Sequence, residues 1–73
     1  MDINEILGMD VVDDIGQNVG TLEDIFCDST GVVNHFIIKL DKGLFNKDDH
    51  EVKFSEVTSI KDVILLNIKI DMD

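Results

Sequence analysis

Val32-Val33-Asn34-His35-Phe36-Ile37-Ile38-Lys39-Leu40 decides the fold. Successive side chains of an extended chain point to opposite faces, so a strand buried on one side repeats its apolar residues at period two. Phe36, Ile38 and Leu40 fall on one face, with Asn34 at its start, and Val33, His35, Ile37 and Lys39 fall on the other. The first set is the core face of a strand. The second is mixed, and Val33 with Ile37 makes it more apolar than open solvent favours.

Upstream of this strand, Ser29-Thr30-Gly31 supplies a turn, and Val19 to Asp28 reads as a second strand. Asp14-Ile15-Gly16-Gln17 is another turn, preceded by a short strand from Met9 to Asp13, so the two strands make a hairpin. Gly16 and Gly31 serve these turns. Gly20 lies inside the second strand, where a glycine marks a bulge, a sharp bend or the close approach of another backbone. Ile3, Ile6 and Leu7 are spaced as one turn of helix that ends at Gly8, or form an irregular lead-in.

Downstream, Asp41 to His50 reads as a polar loop whose Leu44 and Phe45 fold back on the core. Glu51 to Phe54 is a short strand, and Ser55-Glu56-Val57-Thr58 is a helical turn with Ser55 as its N-cap. Lys61-Asp62 is a tight turn before a last strand, Val63 to Ile70. Ile64, Leu66, Ile68 and Ile70 form one face of it, and Val63, Leu65, Asn67 and Lys69 the other. Five or six short strands with regularly spaced turn signals predict an all-β protein, a small antiparallel β-barrel with one short helical turn, as a single domain over residues 1–73. Closure would also protect its β-branched edges from aggregation.

Composition narrows the function. Sixteen acidic residues against six Lys and no Arg give a net charge of −10, which repels phosphate and argues against a nucleic-acid partner. One Cys makes neither an internal disulfide nor a thiolate zinc site. The amino-terminal MDINEILG lacks the basic flank and apolar run of a signal peptide, and no apolar stretch approaches a membrane span. A cytoplasmic protein without direct membrane insertion is expected. A chain of 73 residues buries only about 60 % of its extended surface, so a second copy or a partner that covers more of it would stabilise the fold, and a homodimer is expected.

Few residues invite a chemical reading. Glu23-Asp24 would pair two carboxylates, but neighbours on a strand face opposite ways, and a structural role for Asp24 beside a bulge fits better. Asp48-Asp49-His50-Glu51 is the densest set of potential metal ligands, yet four consecutive residues seldom wrap one ion, and a solvated acidic loop is the plainer reading. Cys27 and His35 would face each other across two strands as nucleophile and base, with no third group to orient them. No catalytic, cofactor or metal residue is therefore assigned. The acidic surface is either a partner-binding face or a solubility device. Val33, Ile37, Val63 and Leu65, apolar on the faces opposite the core, are the candidate dimer or partner interface, unless the Leu44-Phe45 loop covers them.

The order of these elements resembles a known family. Leu7-Gly8 precedes Val11-Val12, then come Gly16, Val19-Gly20, Thr21-Leu22-Glu23-Asp24-Ile25 and Gly31, and the chain continues to Phe54-Ser55-Glu56-Val57-Thr58-Ser59-Ile60-Lys61-Asp62-Val63-Ile64-Leu65-Leu66. This pattern, spread over about residues 6–68, resembles the PRC-barrel domain in its short, stand-alone archaeal form. Lys53 stands where the family usually has Pro, and Lys61 where it has the Gly of the final turn. The resemblance implies a non-enzymatic adaptor that dimerises and binds other proteins. Short archaeal members imply a role in cell division, as partners of the membrane-anchoring protein of the division ring. The ribosome-maturation members imply instead a binding module of ribosome assembly. A small-ligand or metal-binding regulator using the acidic segment is the alternative of a different class.

Overall fold

The structure is a computed structural model and describes residues 2–43 and 47–72, with Lys47 described by its backbone alone. The expected loop contacts of Leu44 and Phe45 lie outside the described residues. One helical turn, α1 (Ile3–Ile6), is capped by Asp2, whose carboxylate accepts from the Asn4 N–H at 2.9 Å. Six strands follow: β1 (Asp10–Val12), β2 (Asn18–Cys27), β3 (Val33–Asp41), β4 (Lys47–Lys53), β5 (Val57–Ile60) and β6 (Ile64–Leu66). A 3-10 turn, Phe54–Glu56, joins β4 to β5. No described helix is long and apolar enough to cross a membrane.

The strands form one sheet in the order β4-β3-β2-β1-β6-β5. Its core face gathers Val11, Val19, Leu22, Phe36, Ile38, Leu40, Val52, Ile64, Leu66 and Ile70, with Ile6 packed in from α1. The small β fold is thus as expected, with two corrections. The β1–β6 pair is parallel, Val11 opposite Ile64 and Val12 opposite Leu65, so the sheet is not wholly antiparallel. The ladder is also not closed among the described residues, because β4 and β5 stand at opposite ends of the strand order.

Three segments differ locally from expectation. The polar loop ends early, since Lys47 to Lys53 pairs residue for residue with β3. The turn after β4 starts at Phe54, so Ser55 lies within it and is not its N-cap. Lys53 takes φ −67°, the value that proline would lock, while its N–H donates to Glu56 Oε1 at 2.9 Å, a bond that proline lacks. The last strand stops at Leu66, yet Ile70 is buried beyond it.

Gly20 explains how the sheet bends. Val11 pairs with Gly20 and Val12 with Asn18, so Val19 is the extra residue of a bulge. A Cβ on Gly20 would lie 2.0 Å from the Lys39 carbonyl oxygen, so β3 can approach only a glycine there. Gly8, Gly16 and Gly31 all take positive φ in the turns assigned to them.

Candidate functional site

Strand pairing fixes what the outer face presents. Phe26, His35 and Lys53 lie side by side across β2, β3 and β4, and Asp24, Ile37 and Glu51 form the next row. The rings of Phe26 and His35 stack at 4.8 Å with an interplanar angle of 15°. Phe26 nevertheless stays 45 % exposed, a large apolar group open to solvent. His35 Nδ1 lies 3.1 Å from Asn34 Oδ1 and 3.7 Å from Glu51 Oε1. The expected meeting of Cys27 with His35 does not occur. A register shift between Leu22 and Asp24 brings Phe26 opposite His35, and a second shift after Phe26 sets Cys27 opposite Val33.

The four candidate interface residues are all half-buried, but they do not form one surface. Val33 packs against the core cluster. Ile37 stands on the outer face between Asp24 and Glu51. Leu65 pairs with Val12, three strands away from β3 in the sheet order, with Val63 two residues before it. Between the two patches, Asp10 on β1 pairs with Thr21 on β2, a polar seam. At the Gly20 end of β3 a groove of about 500 Å³ is lined by Asp10, Asn18, Thr21, Lys39 and Asp41.

The acidic residues are organised by two departures from plain alternation. Leu22 pairs with Ile38 and Asp24 with Ile37, so Glu23 is a second bulged residue of β2. Asp24 Oδ1 accepts the Ile25 N–H at 2.8 Å, a local backbone bond beside this bulge. Glu23 lies 3.9 Å from Lys39 Nζ. A hydrogen bond between the Glu23 and Asp49 carboxyl groups, with desolvation and the Asp49 charge, holds Glu23 above the usual carboxylate range, against the pull of Lys39. Asp48, Asp49, His50 and Glu51 belong to β4 and not to a loop, so they alternate between faces and do not surround one point. Among the described residues no three His, Cys, Asp or Glu side chains gather as metal ligands would.

A carboxylate that periodicity passed over lies at the centre of the fold. Asp13 is fully buried. Its Oδ1 accepts the N–H groups of Ile15 at 3.2 Å and Gln17 at 2.8 Å. Its Oδ2 accepts the Gln17 side-chain amide at 2.7 Å and the Ile70 N–H at 3.1 Å. Burial pushes its pKa up, but these bonds to Gln17, Ile70 and Ile15 outweigh burial and hold it below the usual carboxylate value. Asp13 therefore ties the β1–β2 turn to the chain after β6. The signal in the sequence was the spacing Asp13-x-x-Gly16, which recurs as Asp28-x-x-Gly31 in the β2–β3 turn. There Asp28 Oδ1 accepts the Thr30 N–H at 2.8 Å, the Thr30 hydroxyl at 2.6 Å and the Val32 N–H at 3.1 Å.

The sheet thus has open edges, two separated apolar patches and a buried structural carboxylate. The family model for the PRC-barrel domain matches residues 1–72. No curated protein matches the chain. Among solved structures, a Pseudomonas aeruginosa protein described as the 16S ribosomal RNA processing protein RimM superposes with a TM-score of 0.71 at 15 % identity. That similarity covers 94 % of this chain and 44 % of the Pseudomonas protein, so the chain spans less than half the length of the structure it matches. At such identity the likeness concerns the fold. A family match that runs through the whole curled sheet, from the turn of α1 to the chain beyond β6, settles the family: the chain belongs to the PRC-barrel domain family.

Proposed function

We propose that this domain is a non-enzymatic, cytoplasmic adaptor that binds other proteins through the outside of its sheet. The observation that carries the reading is the apolar remainder left on that outside: Phe26 and Ile37 on one side, and Val63 and Leu65 on the other. Burying one large aliphatic side chain contributes roughly 1.5–3 kcal/mol, a large share of the stability of so small a domain. Two separated patches suit two uses. The Val63–Leu65 patch would meet a second copy, and the Ile37 patch, lined by Asp24 and Glu51, would meet a partner with a basic surface.

The partner is the membrane anchor of an archaeal division ring in the reading drawn from short family members. The fold shared with the Pseudomonas ribosomal RNA processing protein supports the second reading, a binding module of ribosome assembly. Affinity capture from native lysate with the full chain, followed by mass spectrometry, separates them. Division-ring proteins that are lost from an Ile37→Asp variant support the first, and ribosomal proteins lost in the same way support the second. Capture that Ile37→Asp leaves intact overturns the assignment of this patch. Leu65→Asp should convert a dimer into a monomer in light scattering, with circular dichroism reporting whether that monomer is folded. A stable dimer that the substitution leaves unchanged removes the Val63–Leu65 interface.

A further inference from the structure

β4 stands at one end of the sheet, so one edge of its backbone has no strand beside it among the described residues. All seven residues of β4 pair with β3 in one continuous register, without a bulge, and no strand lies beyond it among the described residues. Exposed edges are usually blunted by shortness, bulges or proline, because their unpaired N–H and C=O groups template the addition of another strand. β4 shows none of these devices, and only its charges guard it. The opposite edge, β5, has four residues and a register shift.

The charges guard it selectively. Full-length antiparallel pairing of two β4 strands about His50 would set Asp49 opposite Glu51, and in-register parallel pairing would set every charge opposite itself. Like charges directly opposite one another are destabilising. The outer face beside this edge carries Glu23, Asp24, Asp49 and Glu51 against Lys39 and Lys53. The crowding is felt at Glu23, whose pKa the neighbouring Asp49 carboxyl group holds above the usual carboxylate range. A strand carrying cations at alternate positions would relieve that repulsion, while a second copy would add to it.

We propose that β4 accepts, by strand addition, an extended segment of a different protein that carries Lys or Arg two residues apart, opposite Asp49 and Glu51. Backbone hydrogen bonds would supply affinity and the carboxylates would select the partner. The proposal rests on the reading of this domain as a protein-binding adaptor, and specifies which edge is used and by what chemistry.

The test uses the full chain, isotopically labelled, with a nine-residue peptide of alternating lysine and threonine and a control of alternating glutamate and threonine. The lysine peptide should slow amide exchange at alternate positions of β4 by about tenfold or more at saturation, and its affinity should fall as salt rises. The glutamate peptide should leave exchange unchanged. Asp49→Lys combined with Glu51→Lys should abolish the effect, whereas Asp14→Lys combined with Asp62→Lys, the same change of charge at exposed turns away from β4, should retain it. Absence of binding, equal binding of both peptides, or binding that maps to Phe26 and Ile37 with β4 exchange unchanged overturns the edge assignment. The adaptor reading fails separately, if the intact protein captures no partner protein.

Discussion

The turn Asp13–Gln17 and the turn Asp28–Val32 share one backbone framework. In each, the Asp carbonyl accepts from the glycine three residues on, at 3.1 and 3.0 Å, and the Asp N–H donates four residues on, at 2.9 Å in both. One carboxylate oxygen then accepts the N–H groups two and four residues later. The surroundings differ: Asp28 is exposed, while Asp13 is fully buried. At Asp28 a hydroxyl two residues away adds a local bond, whereas at Asp13 the second oxygen reaches Ile70, fifty-seven positions along the chain. The same local code therefore makes an independent hairpin turn in one place and a tertiary tie in the other. What decides between them is whether another segment passes over the turn.

The largest expected effect breaks the comparison at the buried turn. Asp13→Ala leaves the N–H groups of Ile15, Gln17 and Ile70 without their carboxylate in a dry site. Its melting temperature should fall by more than about 10 °C, on the scale typical of domains of this length. Asp28→Ala should cost much less, because water replaces the lost acceptor. Hydrogen exchange at the Ile70 amide should accelerate in the first variant and stay unchanged in the second. Acid should act in the same order. The folded pKa of Asp13 lies below its usual 3.8, so its contribution is present above that value and is lost as pH falls through the lowered one. Release of the Ile70 amide should follow the protonation of Asp13, read by carboxyl chemical shifts.

A second experiment sharpens the comparison by asking what the two turns have in common. Gly16 and Gly31 take φ of 85° and 86°, and a Cβ at either meets nothing within 4 Å. Gly16→Ala and Gly31→Ala therefore feel backbone strain alone, roughly 1–2 kcal/mol each. Denaturant midpoints should show equal losses. Unequal losses would mean that the buried turn holds its glycine by packing as well as by conformation.

How much could be read beforehand follows the same division between local and tertiary. Phe36, Ile38 and Leu40 announced β3 because its neighbours cover one whole face of it. β4 reads as a loop as far as His50 because Val52 alone of Asp48 to Lys53 is buried, so the hydrophobic period has nothing to mark. The last strand reads longer than its ladder for the opposite reason: Ile70 is buried without ladder pairing, held at its N–H by Asp13. The parallel meeting of β1 with β6 joins segments about fifty residues apart, which no local pattern encodes. Of the candidate site, the outward apolar residues were legible one by one. Their division into two patches depends on strand order, and the Phe26–His35 stack depends on a register shift, and neither is written in spacing.

The smallest expected effect isolates the one bond that the exposed turn has and the buried turn lacks. The Thr30 hydroxyl is the strongest influence on Asp28, ahead of the backbone N–H groups of Thr30 and Val32, and holds its pKa below the usual range. Thr30→Val keeps the side-chain shape and removes that donor. Asp28 should then titrate closer to its ordinary value, while Asp13, which has no contact with Thr30, should titrate as before. The stability change should stay within about 0.5 kcal/mol, as for most surface substitutions. Parallel carboxyl titrations of both residues in one sample provide the measurement. A shift at Asp13 would show that the two turns are coupled through β2, and would end the view of the exposed turn as a unit that folds on local bonds alone.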